Sequence, residues 1–236
     1  MGGVSRVLAV CSMLFSSGCD LVLQLDRPGG AEQYIQFVQV NAVTGPPATE
    51  VAVPFLGSQA AGNLNVAVVG WTEAGGVVSV SDQNGDYVLA VAPLTQGQLR
   101  QAIYYRANIA AATPGANVIT LTFSEETTFP DVRIVEYAGI DPVDPFDVSA
   151  SQGGISVDMT TGFAVTTHAH DLVVAAAIVD GTTVAPGNGF VGRIITVPNG
   201  SILEDMEVTE KGRFSATATQ NAPVGWVMQL AAFRGQ

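Results

Sequence analysis

Apolar positions in this chain come in short runs, and the runs are punctuated by clusters of Gly, Pro, Asn and Asp. The runs are rich in Val, Ile, Thr, Tyr and Phe, and turn signals recur roughly every 8 to 15 residues. That rhythm predicts strands over 34–43, 63–72, 77–81, 87–91, 99–109, 117–124, 132–139, 162–167, 171–179, 190–197, 202–209, 213–219 and 226–233. No segment carries the i, i+3, i+4 pattern of an amphipathic helix, and 94–100 could hold a single turn at most. The expected fold is all-β: an antiparallel β-sandwich of about 11–13 strands, formed by 34–236 as a single domain.

Two runs, LNVAVVGW (64–71) and DLVVAAAIV (171–179), are apolar on both faces. They read as central strands covered on both sides. Others alternate. In 117–123, Val118, Thr120 and Thr122 oppose Ile119, Leu121 and Phe123. In 132–137, Arg133, Val135 and Tyr137 oppose Val132, Ile134 and Glu136. Alternation of this kind predicts one wet face for each strand.

The first residues have another texture. Arg6 is followed by an apolar stretch from Val7 to Phe15, then Ser16, Ser17, Gly18 and Cys19. This is the layout of a secretory signal, and the apolar part is too short to span a membrane. Ser16-Ser17-Gly18-Cys19 resembles the lipobox of bacterial lipoproteins, with Ser16 in place of the usual Leu. The resemblance implies cleavage before Cys19 and acylation of its thiol and new N-terminus. Residues 1–18 are then a signal peptide, 19–33 a lipidated tether, and the membrane a partner through the lipid. The other cysteine, Cys11, would leave with the signal, so no disulfide is expected. The expected address is the outer membrane or cell surface of a bacterial envelope.

Composition narrows the function. The chain has 236 residues, of which 47% are hydrophobic and 13% charged, which excludes a disordered protein. Its net charge of −12 and single lysine, Lys211, argue against nucleic acid as a partner.

The candidate chemistry is sparse. His168, His170 and Asp171 form THAHD. In an extended segment the two imidazoles share a face, near enough to share a metal; as a polar turn before a buried strand they need none. In DQNGD, Asp82, Asn84 and Asp86 alternate around Gly85 like the oxygen ligands of a calcium loop, but Pro93 stands where the twelfth-position Glu belongs. A tight hairpin on Asn84-Gly85 fits the same residues. No cofactor is therefore expected, with weak calcium at this loop as the alternative. Asp141, Asp144 and Asp147, and separately Glu204, Asp205 and Glu207, supply the paired carboxylates that glycoside hydrolysis needs. Solvated loop carboxylates are the simpler reading, and no catalytic residue is assigned. Tyr104 and Tyr105 are neighbours in one strand and face opposite sides, which makes them candidates for stacking a sugar. Trp71 and Trp226 lie in apolar strands and read as core.

The string AAGNLNVAVVGW, VSVSDQNGDYVLAV, QAIYYRANI, NVITLTFS, PDVRIVEYAGID, PFDVSA, HDLVVAAAIVDG and WVMQLAAFR resembles a module recurring in secreted proteins of environmental bacteria. The resemblance covers about residues 35–234 and implies a jelly-roll-like sandwich, not an activity. The expectation is a non-catalytic, lipid-anchored envelope protein with a binding, adhesion or structural role, whose partner is a polysaccharide or an envelope protein. The alternatives are a carbohydrate-binding module and a glycan-active enzyme using loop carboxylates.

Overall fold

A computed structural model describes residues 34–72 and 75–236. These residues form strands and no helix, and every strand pairing is antiparallel. The fold is an all-β sandwich. Its first sheet contains β1 (Gln36–Thr44), β2 (Ala48–Pro54), β3 (Leu64–Thr72), β4 (Val77–Asp82), β5 (Gly85–Asp86), β6 (Val88–Gln96), β7 (Leu99–Arg106) and β8 (Val118–Ala138). The second contains β9 (Phe146–Thr160), β11 (Asp171–Val179), β12 (Thr183–Ala185), β13 (Val191–Ile195), β14 (Ile202–Val208) and β16 (Thr217–Arg234). A small ladder joins β10 (Ala164–Val165) to β15 (Arg213–Phe214).

The first sheet is organised by β8. The strand turns a corner at Phe129-Pro130, and its two halves have different neighbours. Before the corner it runs between β2 and β4, with Val51 opposite Leu121 and Val80 opposite the same residue from the other side. After the corner it runs between β1 and β3, with Val135 opposite Val40 and Val66. The sheet therefore curls over on itself. Val53, Phe55, Val69, Trp71, Ile119, Leu121 and Ile134 fill the curl.

Three apolar layers result, and they explain the two-faced strands. In β3, Val66 and Val68 face the second sheet, while Ala67, Val69 and Trp71 face the curl. In β11, Leu172, Val174 and Ala176 face the first sheet. Val173, Ala175, Ala177 and Val179 face a third cluster with Phe190, Trp226 and Met228. A strand covered on both faces offers few positions where a polar residue is comfortable, so its sequence is nearly all apolar, with Asn65 in β3 and Asp171 at the start of β11 as the buried exceptions. Trp71 and Trp226 are both core.

The wet face expected for 132–137 does not exist. Val135 and Tyr137 pack between the sheets, Val132 and Ile134 pack in the curl, and Glu136 is buried as well. Arg133 is wholly buried between the sheets. Its Nη1 donates to the carbonyls of Ala177 (2.8 Å) and Ile202 (2.6 Å), and its Nη2 donates to Gln101 Oε1 (2.8 Å). Its Nε lies 2.9 Å from Asp131 Oδ1, and Asp131 Oδ2 accepts the Thr196 hydroxyl at 2.6 Å. Gln101 also donates to the Ala176 carbonyl, and Gln229 to the Ala92 carbonyl. The sheets are thus joined by directed polar bonds as well as by apolar contact. Solvent was the wrong inference for an arginine on an alternating strand, because the facing sheet ends in carbonyls that need donors.

Both ends of the described chain lie at one end of the sandwich. Tyr34 presses on Gly139, where an added Cβ would sit 2.4 Å from the Tyr34 carbonyl oxygen. The Gln236 amide donates to the Gly139 carbonyl. From here β1 runs to the far end, about 30 Å away at strand rise. The far end is made by the β8 corner, the Val179–Thr183 connection and the turn between β13 and β14. Thr44 reaches the Val197 carbonyl there, and the Gly45 amide reaches that of Pro130.

Candidate functional site

The THAHD segment belongs to the end where the chain enters. It is not extended: residues 167–170 form bends ahead of β11, and His170 has φ +62°. His168 and His170 are therefore not the same-face pair of a strand. His168 Nδ1 is met by the Thr167 hydroxyl (2.8 Å) and by Arg234 Nε (3.0 Å). Behind them lies a carboxyl pair. Asp147, almost fully buried, accepts the Thr167 amide at 2.7 Å and the Thr167 hydroxyl. Arg234 ion-pairs with Asp144 and stands 3.6 Å from Asp147.

Asp171 is fully buried beside Asp147, and neither of its oxygens accepts a hydrogen bond. Burial, then the hydrogen bond and charge of Asp147, push its carboxyl up to about 7, with Arg234 opposing. Burial also disfavours charge on Asp147, but hydrogen bonds from Thr167, Asp171 and His168 outweigh it and hold this group at about 2. A proton held on Asp171 and donated to Asp147 accounts for both shifts and for the absent donors. Split pairs of this kind mark acid–base sites when a substrate can reach them. Here the protonated member exposes no surface. The pair pins the 166–168 bend onto the sheet.

Asp82, Asn84 and Asp86 form a hairpin between β4 and β5, with the positive φ on Gly85 alone (100°). Asp82 Oδ1 accepts the Asn84 amide (2.7 Å), and its Oδ2 accepts the Tyr87 hydroxyl (2.9 Å) and Asn117 Nδ2 (2.8 Å). Asn84 Oδ1 accepts the Ala110 amide. Burial and then Asp82 raise the Tyr87 hydroxyl far above its ordinary value, so it stays a donor. These oxygens tie the hairpin to buried Asn117, Gln59 and Asn65. Among the described residues, no three His, Cys, Asp or Glu side chains converge as metal ligands would.

Tyr104 and Tyr105 face opposite sides. Tyr104 packs on the curl, while Tyr105 stacks on Phe146 (centroids 6.2 Å, 13°) and meets Phe233 edge-on. Both are half-buried. Glu204, Asp205 and Glu207 are not solvated loop carboxylates: they lie in β14, with Glu204 and Asp205 buried, and Asp205 is bound by Arg193 (2.7 and 2.9 Å) and by the Tyr137 hydroxyl (2.5 Å). Buried Glu204 accepts the Gly187 amide, and burial pushes it up to about 7. Cys19 lies outside the described residues.

The far end is different in character. A cavity of about 240 Å³ opens there, lined by the apolar Leu99, Ile178, Val179 and Pro198 and by the polar Thr72, Asp180, Asn199 and Ser201. Phe129 stands at its rim, 63% exposed, and Val197 nearby is also exposed. Phe129 has φ +53°. That region is costly for a bulky residue, and a following proline ordinarily steers its predecessor to extended backbone. The Ser201 hydroxyl is buried and unpartnered. Comparison with protein-family models, curated proteins and solved structures gives no match. A larger cavity, about 490 Å³, lies beside Tyr34 and Gln236. Sequence reasoning passed over Phe129 and Ser201. The Phe-Pro step between two apolar runs was the available signal, since it marks a corner in what reads as continuous strand.

Proposed function

We propose that this chain is a lipid-anchored, non-catalytic binding module of the bacterial envelope, held by Cys19 and working through the end of the sandwich opposite Tyr34. The supporting observation is the polarity of the domain. The chain enters at Tyr34, and the exposed Phe129 and Val197 flank a cavity at the other end. The buried acids spend themselves on internal partners. Asp82, Asp131, Asp147 and Asp205 each hold two or more protein groups, which suits a rigid scaffold. Acyl chains on Cys19 add about 0.8 kcal/mol per buried methylene, enough for a stable anchor with two or more chains.

Two measurements test the reading. Cys19→Ser should abolish labelling by a fatty-acid probe and move the protein out of the membrane fraction; retained labelling refutes the anchor. The wild-type chain should be retained on at least one of cellulose, chitin, xylan or peptidoglycan without shortening it. Cleavage would replace the module by an enzyme, and no retention on any polymer would leave a structural role in its place.

A further inference from the structure

The far-end cavity has a chemistry of its own, and resting on the reading above we infer that it is a site for one neutral pyranose ring, with Phe129 as the stacking face and Asp180, Asn199 and Ser201 as hydroxyl partners. Two observations converge. The first is Phe129 itself. The β8 corner needs the positive φ, but Gly or Asn would meet it at less cost, and a ring 63% exposed adds little to the core. Its ring borders the cavity. The second is the Ser201 hydroxyl, fully buried, lining the cavity and without a partner. Buried hydroxyls are ordinarily satisfied, so an unmet one at a cavity wall is a group waiting for a ligand.

The groups on the wall choose among ligands. Asp180 offers acceptors, the Asn199 amide offers both kinds, and Ser201 offers a hydroxyl that can turn either way. A ligand that satisfies all three must both donate and accept, as a ring of hydroxyls does. An ammonium only donates and would leave the Asn199 amide protons unmet. An anion meets Asp180 at close range on a chain of net charge −12. The apolar face of a pyranose, its C–H bonds, matches the ring of Phe129 and the side of Leu99, Ile178 and Pro198. About 240 Å³ is below the usual 300–1,000 Å³ of drug-sized pockets, so a single ring fits and a longer chain would run out over Val197.

The test uses the full chain in detergent, titrated calorimetrically with cellohexaose, xylohexaose, chitohexaose and maltohexaose. At least one should bind saturably. Phe129→Asn, which tolerates the backbone and removes the ring, should weaken that binding tenfold or more without lowering Tm. Ser201→Ala should weaken it several-fold and leave Tm unchanged or higher, because it deletes an unmet buried hydroxyl. Tyr34→Ala, an exposed aromatic at the other end, should bind as wild type does. Equal binding by wild type, Phe129→Asn and Ser201→Ala would overturn this site and leave the module standing. A fall in Tm with Phe129→Asn would overturn it too, by giving the ring a structural purpose. No binding of any of the four sugars overturns the ligand class, and retention on peptidoglycan alone would then point the module elsewhere.

Discussion

Replacing Arg133 by Met should test whether the two sheets are joined by polar bonds or merely packed. The methionine keeps most of the arginine stem, so little cavity forms. What is lost is the charge beside Asp131 and the donors to the Ala177 and Ile202 carbonyls and to Gln101. All these groups are buried, so water does not replace the guanidinium. Removing one partner of a buried ion pair costs about 3–5 kcal/mol, mostly for the charge left behind. Domains of this kind have about 5–15 kcal/mol in all. With a urea m-value of about 2 kcal/mol per molar, the unfolding midpoint should drop by about 2 M. Adding Asp131→Asn removes the stranded charge and should restore about half of the loss, while Arg133→Lys, which keeps charge but not the fork, should fall between. Urea unfolding followed by tryptophan fluorescence reads the series. A midpoint for Arg133→Met within about 0.5 M of wild type would show that the network contributes nothing net.

The remaining predictions concern protons and close approaches. Asp171 and Glu204 both hold protons to about 7, above their ordinary 3.8 and 4.5, so the folded state binds more protons than the unfolded one between those limits. Stability should therefore be full near pH 4 and decline as pH rises through 7; Asp171→Asn should flatten this slope in Tm scans from pH 4.5 to 8, and an unchanged slope would contradict the shared proton. Asp147 has the opposite sign, since its carboxyl at about 2 stabilises above 3.8 and its contribution is lost as pH falls through 2. Gly187→Ala should cost about 1–3 kcal/mol, because the new Cβ would lie 2.2 Å from the Thr217 carbonyl oxygen and neither backbone yields easily. A Tm equal to wild type would show that the loop carrying Gly187 shifts freely.

Much of the architecture was legible because the hydrophobic pattern carries it. β3 and β11 were found with their double burial, and the turn positions around β4, β7 and β14 fell close to where the strands end. Four strands were missed: the short β5 and β12, and the longer β9 and β2, each of these two for a reason of its own. β9 reads SASQGGIS in its middle, small and polar residues that pair with β16 along its length without announcing a strand. β2 ends on Pro54, and a proline lowers any strand expectation although an edge tolerates it. β8 and β16 were each expected as two strands, since corners and bulges break a hydrophobic run without breaking the strand. The candidate site was less legible. The Phe-Pro step marks the corner, but neither the positive φ of Phe129 nor the unmet hydroxyl of Ser201 can be read from it, because both depend on what the fold brings beside them. The histidines drew attention by rarity, and the structure spends His168 on Arg234 and Thr167.

The course of β1 has a mechanical meaning. The strand leaves Tyr34, runs the length of the sandwich beside β8 and ends at Thr44, next to the Val197 turn. If the protein is held at its N-terminal side and a ligand is pulled at the far end, tension lies along β1. The β1–β8 hydrogen bonds stand across that line, so they are loaded in shear, all together, and cannot open one after another like a zip. A sheet loaded this way resists extension until the whole ladder fails, and forced unfolding is set by that barrier rather than by equilibrium stability. The same alignment would make the domain a stiff strut between whatever holds its N-terminal side and whatever it grips.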